Sequence, residues 1–125
     1  MAGWNEIAID NFKSAQKLRD LGYLRGCVNR AYYAAFSAVT FALGAGPAYR
    51  PGRQTPDHKL VTVLLEQHVQ SLPRWQLSAV KAAVRRLYSV RIDADYPSNA
   101  RIDRAIACGA LRDCRVVLDG LEVLK

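Results

Sequence analysis

The sequence predicts an all-α fold, an antiparallel bundle of four to five helices. Three observations carry this. Apolar residues recur three and four apart along most of the chain. Glycine and proline punctuate the gaps between these stretches, and most gaps are short. Strand-type alternation is nearly absent. The 125 residues, half of them hydrophobic, suit a single domain spanning 1–125 with a genuine core.

The first helix is expected over Trp4–Leu21, where Trp4, Ala8, Phe12, Ala15 and Leu18 form one stripe and Gly22 closes the end. The second is expected over Tyr23–Leu43. It carries a ridge of small residues, Cys27, Ala31, Ala34, Ala38 and Ala42, which admits a close neighbour. It also carries a polar file, Arg30, Tyr33, Ser37 and Thr40, whose polar atoms require partners, a cleft or a second subunit. Gly44–Gln54 reads as a loop holding Arg50 and Arg53. Thr55, Pro56 and Asp57 have the grammar of a helix start, so His58 falls in the first turn of the third helix. His68 lies on that helix's apolar stripe and is expected in the core. Ser71–Pro73 ends it. The fourth helix is expected over Trp75–Val90, with Arg91 in line with the stripe Leu77, Val80, Val84, Leu87 and a break at Ile92–Pro97. The fifth is expected from Ser98 to about Leu124, with Arg101, Arg104, Arg112 and Arg115 inside an arc of about 80°.

Lys and Arg number 18 against 11 Asp and Glu, for a net charge of +7. That balance favours a polyanionic partner, RNA or DNA before acidic lipid, or describes a basic solvated surface. The Arg file on the fifth helix divides the same way, into a solvated face or phosphate contacts. Cys27, Cys108 and Cys114 make no disulfide framework and no thiolate metal site, and Cys27 and Cys114 read as small core residues. No metal and no cofactor is expected. No leader peptide or membrane-spanning run is seen, so a cytoplasmic protein is expected. No glycine-rich phosphate loop, nucleophile elbow or paired catalytic carboxylates occur, which removes the commonest enzyme classes.

The candidate residues each admit two roles. Arg91 is either a contact for RNA phosphate and transition-state charge or half of an ion pair with Asp93 or Asp95. His58 is either a general base toward a ribose 2′-hydroxyl or a hydrogen-bonding residue at a helix start. Arg30 could reach Asp95 or a phosphate, and Tyr33 could stack on a base, or both could belong to an internal polar network. Tyr96 is a stacking candidate.

The string Asn29-Arg-Ala-Tyr-Tyr-Ala-Ala-Phe36, the histidine at Asp57-His58-Lys59 and Arg91-Ile-Asp-Ala-Asp-Tyr96 together resemble the HEPN domain in order, spacing and helix count. The resemblance covers nearly the whole chain. It implies a bundle of four or five helices, usually a homodimer. It also implies a protein acting on RNA, in many members a metal-independent endoribonuclease toxin with a nucleotidyltransferase antitoxin. On that basis Arg91, His58 and Arg30 are the candidate catalytic residues. Asn29, Tyr33, Asp95, Tyr96, Arg101 and Arg104 are the candidate RNA or nucleotide contacts. Nuclease members carry a histidine four to six residues past the arginine, where this sequence has Tyr96 and no histidine follows. That departure opens a second reading, a non-catalytic module that binds nucleotide or partners a nucleotidyltransferase. A purely structural dimer is a third. Transfer of a nucleotidyl group to Tyr96 by such a partner is a further role the resemblance allows.

Overall fold

The computed structural model of the chain describes residues 3–44, 56–69, 71–95 and 101–123. They form five helices: α1 (Trp4–Asp20), α2 (Leu24–Leu43), α3 (Val61–His68), α4 (Arg74–Asp95) and α5 (Arg104–Gly120), with a 3-10 turn at His58–Leu60 ahead of α3. No strand occurs among the described residues. The all-α expectation is met.

The α1–α2 turn follows from one glycine. Gly22 has φ 83°, the left-handed region that other residues rarely adopt. The amide of Tyr23 then donates to Leu18 O at 2.8 Å and that of Gly22 to Arg19 O at 3.0 Å, which closes α1 and reverses the chain. Cross-helix partners fix the directions. Arg30 bonds Asn11, so α1 and α2 are antiparallel neighbours with Leu18 against Gly26. Tyr33 meets Arg91 and Arg25 meets Ala94, so α2 and α4 are antiparallel too. Arg86 pairs with Asp113 while Val80 faces Gly120, which makes α4 and α5 antiparallel. Cys27 approaches Ala107 and Cys114 approaches Ala35, so α2 and α5 run side by side in the same direction.

Helix α2 contacts α1, α3, α4 and α5. Eleven of its residues are buried, which explains a helix that is apolar nearly all round. Cys27, Ala31, Ala34 and Ala38 are fully enclosed. These four residues of the small-residue ridge are packed against neighbouring helices within the subunit, the close approach expected of them, while Ala42 is half-buried. In the polar file, Ser37 and Thr40 are buried, and Thr40 Oγ1 donates to Phe36 O at 2.9 Å. Burial pushes the Cys27 thiol up to about 11 and raises Cys114 as well, so both behave as the inert core residues expected.

Three helix boundaries differ from the sequence reading for a physical reason. Helix α4 runs to Asp95 and does not break at Ile92, because Arg25 satisfies two of its last carbonyls. Helix α3 proper begins at Val61, later than expected, behind the 3-10 turn at His58–Leu60, where Asp57 Oδ1 accepts from Lys59 N at 3.2 Å. Thr55 itself lies outside the described residues, as do Ser98, Arg50 and Arg53. Helix α5 begins at Arg104, capped by Asp103 Oδ1 on Ile106 N at 2.8 Å. Arg101 thus precedes the helix and leaves the arginine file, and Arg115 faces Asp119 at 3.7 Å. His68 is exposed at the last residue of α3, whose buried positions are Val61, Leu64 and Leu65; it is not a core histidine. No helix among the described residues is long and apolar enough to cross a membrane.

Helices α4 and α5 pass so closely that a Cβ on Gly120 would stand 2.5 Å from Val80 Cγ2. Gly120→Ala is expected to destabilise the fold by about 1–3 kcal/mol and lower Tm by roughly 4 °C or more. A variant melting with the native protein would show that the two helices can separate without cost.

Candidate functional site

The last turn of α4 is tied to the first turns of α2. Arg25 Nη1 donates to the carbonyls of Asp93 and Ala94, each at 3.0 Å. Asn29 Nδ2 donates to Asp95 Oδ1 at 2.7 Å. The other carboxylate oxygen of Asp95 lies 2.8 Å from Arg91 Nε, one helical turn back; the approach makes an ion pair, at an angle that is not a hydrogen bond. Arg91 Nη2 donates to the Tyr33 hydroxyl at 3.3 Å. Its guanidinium stands 5.4 Å and 5.7 Å from the ring centres of Tyr32 and Tyr33. Burial works against the Arg91 charge, and Tyr33 and Asp95 outweigh it, so the guanidinium is held firmly protonated. Arg91 is thus half of the Asp95 ion pair and part of an aromatic cluster at once.

His58 is positioned by α2. Its Nδ1 is hydrogen-bonded to the Tyr32 hydroxyl. Its ring lies flat on Phe36, 3.9 Å between centres with 3° between planes, and meets Tyr33 edge-on. Tyr32 and Phe36 are one turn apart, so a single helix face supplies both the bond and the platform. Burial raises the Tyr32 phenol well above its ordinary range, so it stays protonated and serves either as donor to Nδ1 or as acceptor from it.

A groove of about 460 Å³ opens between α1 and α2 beside this histidine. Among the described residues it is lined by Trp4, Ile7 and Asn11 of α1, by Asn29, Arg30, Tyr33, Phe36 and Ser37 of α2, and by His58. None of these is a carboxylate. Arg30 is exposed, and its Nη1 donates to Asn11 Oδ1 at 3.3 Å. A cation, two amides, aromatic rings and an imidazole together suit a ligand with phosphate groups and flat bases. Arg91 does not line the groove and acts on it through Tyr33.

Of the residues picked from sequence, Asn29, Arg30, Tyr33, His58, Arg91 and Asp95 come together as groove and supporting network. Arg101 and Arg104 lie exposed at the start of α5, outside the groove lining. Tyr96 lies outside the described residues. Sequence reasoning missed Arg25, Asn11 and the support that Tyr32 and Phe36 give His58. Asn11 carried a signal: it is an uncharged polar residue beside the apolar stripe of helix 1. Arg25 carried none, since its partners are backbone atoms 68 and 69 residues away. Among the described residues, no three His, Cys, Asp or Glu side chains converge as metal ligands.

Five packed helices with this groove and network define the class, a small all-α bundle. The model of the HEPN domain matches residues 1–124, and the chain belongs to that family. No curated protein matches the chain.

Proposed function

We propose that this HEPN protein binds RNA in the α1–α2 groove and cleaves it as a metal-independent endoribonuclease. One observation supports this above the others: Asn29, Arg30, Tyr33 and His58 share one groove whose described lining contains no carboxylate to repel a phosphate. In this reading the His58 imidazole takes the proton of a ribose 2′-hydroxyl. O2′ bonds to the adjacent phosphorus, the bond to O5′ breaks, and O5′ leaves with a proton returned from the imidazolium or from water. The products are a 2′,3′-cyclic phosphate and a 5′-hydroxyl. Arg30 meets the charge that grows on the phosphoryl oxygens. Arg91 is a positioning residue, holding Tyr33 and Tyr32 and through them the histidine. The biological setting we assign is a toxin of a toxin–antitoxin or defence system, acting as a homodimer.

Total cellular RNA incubated with the purified protein in EDTA tests this. Discrete fragments ending in cyclic phosphate are expected from the wild type, falling about 10²-fold or more with Arg30→Ala. Intact RNA under both conditions would sink the nuclease. A second reading draws on Arg91, held by Asp95 and Tyr33, and on Tyr96 in place of the nuclease histidine. In it the domain binds RNA or nucleotide without cleavage beside a nucleotidyltransferase. RNA retained but uncut, together with copurification of such an enzyme, is its expected result.

A further inference from the structure

His58 separates two openings. Beyond it from the α1–α2 groove, a pocket of about 400 Å³ lies between the 3-10 turn, α3 and α4. Its volume falls in the usual range of small-ligand sites, ~300–1,000 Å³. The floor is Val61 and Val84, both buried, and Tyr88 forms a wall. Tyr88 is half-buried and stands edge-on to Tyr32, 5.9 Å between ring centres, so it belongs to the aromatic cluster that holds His58. Lys59 and Arg85 stand exposed at the rim.

The charges near this pocket are distributed unevenly. Glu66 engages both Lys81 and Arg74, and Arg86 is paired with Asp113. Lys59 and Arg85 form no ion pair among the described residues, and no carboxylate is among the pocket's described lining. An apolar floor beside an aromatic ring, with two exposed cations at the mouth that form no ion pair among the described residues, matches a base with its phosphate better than it matches an inorganic anion or a lipid tail.

We propose that this pocket is a second nucleotide subsite, so that one single RNA strand crosses His58 with adjacent nucleotides on either side. The base sits against Tyr88 and the valine floor, and its phosphate meets Lys59 and Arg85. The strand must be single, because a base enters such a slot only when it is unstacked. The inference rests on the RNA-binding reading above. It adds that reading's missing half, a site that sets which linkage lies over the imidazole.

The test measures binding of a fluorescent single-stranded hexaribonucleotide at low salt, by anisotropy. Three proteins are compared: wild type, Lys59→Ala/Arg85→Ala, and a control, Lys13→Ala/Lys17→Ala. The control removes the same charge from exposed positions of α1. Each variant's melting curve is recorded beside its binding curve; all four residues are exposed, so native-like melting is expected. The pocket variant is expected to bind about tenfold more weakly than wild type, with the control within about threefold of it. Equal losses in both variants would reduce the effect to net charge and overturn the subsite. So would wild-type affinity in the pocket variant, while leaving the groove and the RNA reading intact. Absence of binding by the wild type overturns both.

Discussion

His58→Ala is expected to lower RNA cleavage by about 10²–10⁴-fold, the span of a lost general base. The Tyr32 bond and the Phe36 stack hold the ring beside the groove. The variant loses that stack, so its Tm is recorded with the rate, and its affinity for uncut RNA is expected to change only a few-fold. A substrate with a single 2′-deoxyribose at the cleavage point is expected to resist the wild type, since the attacking oxygen is gone. Should the alanine variant cut intact RNA at more than a tenth of the native rate, the histidine is not the base. The proton acceptor would then have to be another group of the groove.

Tyr32→Ala carries the largest expected effect on stability, about 3–5 kcal/mol, as for other large aromatic truncations in a core. Tyr32 is 2% exposed and touches Tyr33, Phe36, His58, Tyr88 and Arg91. Removing it opens a cavity where α2 and α4 meet and takes away a partner of His58 together with a platform for Arg91. Tyr32→Phe keeps the volume and removes only the hydroxyl, so about 1 kcal/mol is expected. Urea unfolding of the two variants separates packing from hydrogen bonding. A Tyr32→Phe variant as damaged as Tyr32→Ala would mean that the hydroxyl, not the ring, carries the stability.

The helices that were legible are those whose ends are written locally. Gly22 sets the end of α1 by its own backbone freedom, and the three-four stripe of α2 needs no context. The ends that were misread are set by distant groups. Helix α4 continues past Ile92 because Arg25 reaches its carbonyls from the start of α2. Its extra turn also decides the ion pair: with Arg91 and Asp95 on one continuous helix, the partner at i+4 wins over Asp93. His68 follows the stripe in sequence, but at the end of α3 its side chain is exposed. Ser98 and Asp103 are both good caps, and the cap of α5 is Asp103. For the site, Asn29, Arg30, Tyr33 and Phe36 could be placed together because one helix carries them at turn spacing. The meeting of His58 with Tyr32 could not, because they stand 26 positions apart in the sequence.

Helix α2 is enclosed by four others, and it also carries most of the groove's polar residues. Asn29, Arg30 and Tyr33 are thereby mounted on a helix held by four neighbours. A ligand entering the groove finds these groups already in place, so little binding free energy is diverted into ordering the protein. The same arrangement removes slack. A change of volume under α2, at Ala34 or Ala38 for instance, shifts the groove with the helix, so lost affinity is expected to be the first symptom of a loosened core.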